Sequence, residues 1–395
     1  MADRDLTLEG VAFLTTAPAQ ETLAWLDTQD PEKNHLALVQ QLRQRFSLAQ
    51  SGWLLDQARL RAKAADKFAQ PLRCLYLEEA LQQASSLPLA HYHARQFMDH
   101  DSVADLGAGI GADTLALANT VERVIAVEKD PVRAALLRHN LHACGVENVT
   151  VLQDDWTNLT LPVQAAFIDP ARRVEGRRVF SLHAMQPPLA AILTLQQRVP
   201  DLLVKAAPGV NHAEIPADAE VAFVSLNGEL KESLLRFGGP RRGYARCATL
   251  LPDGHQLTAT DNDDPPLPIG EARAYLYEPD PAVIRAQLVR PLGAQLHAAM
   301  LSADIAYLTA DHAIDTPFAR GWRVLRQAPF HLKTLNHWLR EIEAGEVVIK
   351  KRGSPIDPDT FGKRLKTTPG GRKVTVFFTR CQDQPWMVLG EDLIP

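Results

Sequence analysis

The stretch DLGAGIGAD, residues 105–113, decides the fold. It follows the short apolar run Val103-Ala104 and leads into DTLALANTV (113–121), so a glycine-rich loop joins a strand to a helix. Gly107, Gly109 and Gly111 permit a tight turn and let a ligand approach the backbone, with Ala108 among them. The loop alone does not choose its ligand, because nicotinamide dinucleotides use similar ones. Asp105 narrows the choice: an acid at the strand end can hold a cation and opposes a pyrophosphate. S-adenosylmethionine carries an ammonium and no phosphate, so it suits the site. Asp113 opens the helix beside it.

Outward from the loop, RVIAVEKD (123–130), VTVLQDD (149–155), AAFIDP (165–170) and DLLVKAAPG (201–209) read as further short strands. Helical stretches separate them, such as PVRAALLRHNLHACG after the second. This alternation predicts βαβ units and a parallel sheet. Glu128 ends the second strand, followed by Lys129, and can accept bonds from both ribose hydroxyls. Asp155 ends the third, where an adenine amino group would lie, and Trp156 can cover the adenine face. Singly, each acid reads equally well as a solvated or helix-capping carboxylate. Together they fall at the carboxyl ends of three successive strands, where such sheets bind ligands. EVAFVSLNGEL (220–230) and YARCATLLPDG (244–254) read as an antiparallel edge hairpin, with KESLLRFGGPRRG between them and a bulge at NGELKE (227–232).

The fourth strand closes in AAFIDPARRVEGRR (165–178). Asp169 stands where a reacting group of the ligand would point, and can orient an acceptor. Pro170 shapes the turn and removes a competing N–H. An arginine plane at Arg172 can stack on a base or grip a phosphate. Arg173, Arg177 and Arg178 read as phosphate contacts or, equally, as a salt-bridged face.

Residues 1–95 read as a helical domain: HLALVQQLRQRF repeats Leu36, Val39, Leu42 and Phe46 at helical spacing, and the only glycines are Gly10 and Gly52. Residues 96–257 form the α/β domain. TATDNDDPPLPIG (258–270) is polar and proline-rich, a linker. Residues 271–395 mix strand-like VVIKKRG and KVTVFFTR with helix-like FHLKTLNHWLREIEAG. The chain carries a net −5, yet residues 320–380 hold fourteen Lys/Arg against five Asp/Glu, a local +9. The four cysteines, Cys74, Cys144, Cys247 and Cys381, lack metal-type spacing, which predicts no metal site and reduced thiols. There is no apolar run long enough to span a membrane and no leader, so a cytoplasmic protein is expected.

Residues 102–170 resemble the class I S-adenosylmethionine-dependent methyltransferases: DLGAGIGAD matches their first motif, EKD their acidic second-strand end and QDDW their third. The resemblance implies a Rossmann-like seven-stranded sheet of order 3-2-1-4-5-7-6, the seventh strand antiparallel. Its cofactor residues map onto Asp105, Gly107, Ala108, Gly109, Gly111, Asp113, Glu128, Lys129, Asp155, Trp156 and Asp169. Asp169-Pro170 is similar to the Asp/Asn-Pro-Pro-aromatic motif of amino-directed nucleic-acid methyltransferases, whose acid accepts from an exocyclic amine. Here Ala171 replaces the second proline and Arg172 the aromatic, so Asp169, Pro170 and Arg172 are the catalytic candidates. Uracil-5 RNA methyltransferases share an Asp-Pro-x-Arg motif but need a cysteine after the fifth strand, where this chain reads VKAAPG with Lys205. DPVRAALLRHNLHACGV is locally similar to the cap trimethylguanosine synthases.

PFARGWRVLRQAPF, VVIKKRGSPIDPDTFGKRL and KVTVFFTR resemble the α+β THUMP-like domain appended to a group of bacterial methyltransferases, and HYHARQF suits the same group. THUMP domains of other enzymes bind tRNA, so the resemblance implies an RNA partner such as tRNA or rRNA. The basic residues that would hold it are Lys350, Lys351, Arg352, Lys363 and Arg364, with Lys366, Arg372 and Lys373 nearby. A small-molecule or protein methyltransferase and a non-catalytic cofactor binder remain alternatives.

Overall fold

The computed structural model describes residues 6–30, 33–170, 173–174, 177–178, 181–239, 242–260 and 262–393. The chain divides into two compact units: residues 1–219 with 234–241, and residues 220–233 with 242–395.

The first unit opens with six helices: α1 (Leu8–Leu14), α2 (Ala17–Leu26), α3 (His35–Leu42), α4 (Leu48–Lys63), α5 (Glu78–Gln83) and α6 (Leu87–Arg95). Ser47 and Gln50 close a reciprocal capping box on α4, which fixes where the longest of them starts. The expected stripe along 36–46 is displaced. α3 stops at Leu42 and buries Leu38 and Leu42, while Leu36 is 78% exposed. The helices pack Leu14, Leu23, Leu54, Phe68 and Tyr76 into one core with Ile110, Ala112 and Leu136 of the α/β part. The division of the chain accordingly shows no break at residue 95.

The α/β part follows. β1 (Ser102–Leu106) leads through the glycines into α7 (Ala112–Ala118). Next come β2 (Arg123–Val127), α8 (Pro131–Ala143), β3 (Val149–Leu152), β4 (Ala165–Ile168), α9 (Leu189–Gln196) and β5 (Asp201–Ala206). The strands run parallel in the order β3-β2-β1-β4-β5. β1, β4 and β5 are buried along their whole length, as expected of a sheet covered on both faces. Asp105 pairs in register with Ala126 on one side and Phe167 on the other. The strand order thus reverses at β1, and the crevice at its carboxyl end is where such sheets bind ligands.

The edge of the sheet corrects the sequence reading. β6 (Glu220–Leu226) turns through Asn227-Gly228, both at positive φ (53° and 76°), into β7 (Glu229–Gly238). The expected bulge is therefore a two-residue hairpin turn. The segment taken as a connector is a strand, with Glu232 through Phe237 buried. β8 (Arg246–Leu251) runs parallel to β6, not antiparallel, and β9 (His255–Ala259) returns along β8. The sheet order is β9-β8-β6-β7-β5-β4-β1-β2-β3. It contains the expected 3-2-1-4-5-7-6 run and extends it by two strands.

β9 reaches Ala259, so the expected linker starts inside a strand. Residues 260 and 262–270 then run without helix or strand apart from a bridge between Ile269 and Met300. The remaining strands of the second unit are β10 (Tyr275–Pro279), β11 (Ala299–Ser302), β12 (Ile305–Ala310), β13 (Ala319–Pro329), β14 (Ala344–Lys351), β15 (Arg372–Cys381) and β16 (Gln384–Asp392). They form a separate sheet in the order β11-β12-β10-β13-β16-β15-β14. Helices α10 (Pro281–Arg285), α11 (Val289–Gln295), α12 (Leu332–Glu341) and α13 (Pro358–Gly362) accompany it. α12 buries Leu335 and Leu339 with Val374, Val376, Phe378 and Met387, so the FHLKTLNHWLREIEAG pattern is a helix covering this sheet.

Candidate active site and cofactor pocket

The glycine loop crosses the end of β2. The Gly107 and Ala108 N–H groups both donate to the Val127 carbonyl, at 2.9 and 3.1 Å. Gly111 sits at φ 100°, a backbone that side chains disfavour, and starts α7 there. Gly107 sits at φ 87°, where a side chain is strained, and a Cβ there would crowd the Asp169 carbonyl oxygen at 3.1 Å. That close approach brings the ends of β1 and β4 together.

Glu128 is buried, and its carboxylate accepts from the Gly109 N–H at 2.9 Å and the Asp130 N–H at 2.8 Å. It is therefore aimed at the loop. Gly109 has open space where a Cβ would be. Asp105 is 1% exposed and accepts from the Thr114 hydroxyl at 2.5 Å. Burial pushes its pKa to about 8; the charges of Asp113, Asp169 and Glu128 add to the shift, and the Thr114 bond opposes it. A nucleoside with a cationic tail fits this donor set. Ribose hydroxyls can use the remaining lone pairs of the fixed Glu128, and an ammonium relieves the crowded acids.

Other sequence candidates lie elsewhere in the pocket's surroundings. Asp155 accepts from the Thr157 N–H and hydroxyl, at 3.0 and 2.7 Å, and these bonds hold its pKa below the ordinary value. It caps the short 3-10 turn Trp156–Asn158, and Trp156 is buried there. Lys129 is exposed. Asp113 points away from the loop toward a buried cluster: the Ser85 hydroxyl donates to its Oδ2 at 2.8 Å, and His93 Nδ1 lies 2.7 Å from its Oδ1. Burial works against its ionisation, but the charge and bond of His93, then Lys205 and Ser85, outweigh it and lower its pKa.

At the end of β4, the Asp169 carboxylate is one quarter exposed, and Lys205 Nζ donates to its Oδ2 at 2.8 Å. Lys205 lies on β5, is 3% exposed, and also donates to Ser85 Oγ at 3.0 Å. His93 stacks on Phe167 of β4 at 4.8 Å between ring centroids. Pro170 is buried. Arg172 lies outside the described residues. Arg173-Val174 and Arg177-Arg178 pair as a two-residue antiparallel ladder, but their side chains are not among those described.

Sequence reasoning missed Ser85 and His93, and met Lys205 only as the place of an absent cysteine. A usable signal was present: a lysine inside the apolar run DLLVKA is costly unless it is paired.

The basic residues of the C-terminal sheet divide into two groups. Lys350 pairs with Glu278 and lies over Trp322; Arg352 reaches the same Glu278 and lies over Tyr307. Arg372 pairs with Glu391 and Lys373 with Glu346. Lys351, Lys363, Arg364 and Lys366 are exposed, with Arg364 over the Phe361 ring at 5.3 Å.

Residues 319–392, β13 through β16, match the THUMP domain-like family. The chain is 34% identical over 349 residues to uncharacterised S-adenosylmethionine-dependent methyltransferases of two Mycobacterium tuberculosis strains, covering 86% of this chain and 95% of each relative. A 64-residue segment, 16% of this chain, is 33% identical to a probable ribosomal RNA small subunit methyltransferase A of Methanosphaera stadtmanae and spans 24% of that protein. A crystal structure from Porphyromonas gingivalis W83, described as a candidate methyltransferase, shares the fold with a TM-score of 0.79 at 21% identity, over 95% of this chain and 98% of that one.

Proposed function

Since the chain belongs to the S-adenosylmethionine-dependent methyltransferases, we propose that it methylates a base in RNA such as tRNA or rRNA, at an exocyclic amine or ring nitrogen. The observation that carries the proposal is Asp169-Pro170 at the carboxyl end of β4, held against Gly107 of the cofactor loop. The THUMP domain-like match over 319–392 and the basic residues within it support an RNA partner. The reading places the enzyme in the cytoplasm.

When bound, S-adenosylmethionine supplies an electrophilic methyl carbon. Asp169 accepts a hydrogen bond from the acceptor N–H and turns the nitrogen lone pair toward the cofactor side of the crevice. Pro170 offers no N–H to compete for that acceptor. Glu128 holds the ribose end, and the ionised Asp105 balances the cationic tail. The acceptor nitrogen loses its proton to Asp169 or to water. Arg172, Arg173, Arg177 and Arg178 lie next in sequence to grip phosphates beside the base.

The test is methyl transfer from labelled S-adenosylmethionine into tRNA, rRNA, protein and metabolite fractions, with Asp169→Ala in parallel. Label in one RNA class, lost in Asp169→Ala, is the expected result. Label confined to protein or metabolites overturns the RNA reading.

A further inference from the structure

A largely buried polar chain stands behind Asp169. It runs from Asp169 Oδ2 to Lys205 Nζ at 2.8 Å, to Ser85 Oγ at 3.0 Å, to Asp113 Oδ2 at 2.8 Å, and from Asp113 Oδ1 to His93 Nδ1 at 2.7 Å. Lys205, Ser85 and His93 are each less than a twentieth exposed. The chain draws on four parts of the first unit: β4, β5, α7 and the helical segment before the glycine loop. A lysine ammonium in a fully buried strand is tolerated only when its protons are engaged, and here two acceptors engage it.

We infer that Lys205 is a positioning residue for methyl transfer, holding the Asp169 carboxylate aimed at the acceptor, and that the N-terminal helical segment supplies its anchor through Ser85, backed by Asp113 and His93. The inference rests on the reading of Asp169 as the acceptor-orienting group.

Asp169 is the most exposed member of the chain, with a quarter of its side chain open, and without the Lys205 bond its carboxylate would turn more freely about its side-chain torsions. The Lys205 bond holds Oδ2 at 2.8 Å and with it the plane of the carboxylate. Charge acts in the same direction. Acids crowd this end of the sheet: beyond burial, the charges of Asp113, Asp169 and Glu128 all act to raise the Asp105 pKa. The Lys205 ammonium, 2.8 Å from Asp169 Oδ2, brings a positive charge among these acids. His93 bonds to Asp113, and Lys67 of the helical segment donates its protons to the carbonyls of Leu81, Gln82 and Ala84. The helical segment therefore completes the site, which explains why its core is continuous with that of the glycine loop.

The test reads Asp169 directly. Infrared difference spectra between the wild type and Asp169→Asn isolate the Asp169 carboxyl band, and a pH titration follows its ionisation without any methyl acceptor. The same pair of spectra in a Lys205→Met background is expected to show Asp169 titrating roughly one to three pH units higher. Lys205→Arg is expected to restore most of the difference. In transfer assays with total bacterial RNA, Lys205→Met is expected to lower kcat on the order of 10²-fold with little change in KM, because aim and not binding is lost. Ser85→Ala, which keeps the ion pair and the fold, is expected to lower kcat in the same way by a smaller factor. An Asp169 band that titrates at the same pH with and without Lys205 overturns the inference, as does unchanged kcat in both Lys205→Met and Ser85→Ala. RNA left unlabelled by the wild type, with the band shifted as expected, overturns the RNA reading alone and leaves the assignment of Lys205 standing.

Discussion

Asp105 is the residue at which fold stability and cofactor binding oppose each other. Its carboxyl group is buried at the end of β1, and burial with the neighbouring acids lifts its pKa to about 8. Below the ordinary carboxylate range both folded and unfolded chains hold this proton, and pH has no effect through Asp105. Between that range and about 8 the unfolded chain has lost the proton and the folded chain keeps it, so stability falls as pH rises. Above about 8 the dependence ends. Asp105→Asn is therefore expected to flatten the decline of apo thermal stability from pH 5 toward pH 8. A cationic ligand reverses the preference and favours the ionised acid. S-adenosylmethionine binding near pH 7 is expected to release a proton, read by calorimetry in buffers of different ionisation enthalpy. A wild type and Asp105→Asn that show the same pH dependence and the same proton release would contradict this. The position of Asp105 was legible in the sequence, because a strand followed by spaced glycines fixes where the strand ends. Its protonation was not, because that depends first on burial and then on Asp113, Asp169 and Glu128, brought together only by the fold. Ser85 and His93 were hidden for the same reason. Each is an ordinary residue of a helical segment until β5 places Lys205 beside Ser85 and α7 places Asp113 beside both.

At the scale of elements, β7 shows where pattern reading fails. The run KESLLRFG looks like a polar connector because Glu232 and Arg236 interrupt its apolar residues. In the structure both are buried, and Arg236 pairs with Asp201 at the start of β5, whose Oδ2 also lies 3.1 Å from His100 Nε2. A buried strand reads as a near-continuous apolar run only when no charge is satisfied inside the sheet. β1 through β5 obey that rule well enough to be found, and Lys205, a buried lysine inside the apolar run of β5, marks the site. β7 breaks the rule with an ion pair whose partner is remote in sequence. The pair has a consequence for stability. Arg236→Met leaves Asp201 buried with His100 alone and is expected to cost about 3 kcal/mol, measured as the shift of the denaturant transition. Arg236→Met with Asp201→Leu removes both charges and is expected to cost less than Arg236→Met alone. Additive losses would mean that the two residues act independently, and that the ion pair does not account for the burial of β7.

On the scale of the whole molecule, the charge is unevenly spread, with a net −5 overall and +9 within residues 320–380. The sequence made Lys350, Lys351, Arg352, Lys363 and Arg364 RNA candidates, with Lys366, Arg372 and Lys373 nearby. The structure separates them, since Lys350, Arg352, Arg372 and Lys373 hold acids of their own unit while Lys351, Lys363, Arg364 and Lys366 face solvent. A lysine already neutralised by a carboxylate releases fewer counterions from a phosphate than an exposed one does. The exposed group gathers around α13, where Arg364 lies over Phe361 and Phe330 packs on the same ring at 5.9 Å. If RNA binds this face, full-length protein carrying Lys363→Glu, Arg364→Glu and Lys366→Glu should lose affinity for tRNA, and the slope of log affinity against log salt should shrink by roughly two. Lys350→Gln should leave that slope nearly unchanged and lower thermal stability instead, because it breaks the contacts to Glu278 and Trp322. Cofactor affinity should stay at the wild-type value in both proteins, since the glycine loop, Glu128 and Asp105 all belong to the other unit. An undiminished slope in the triple variant would move the RNA contacts off this face, and the arginines after Asp169 would then be the next residues to reverse.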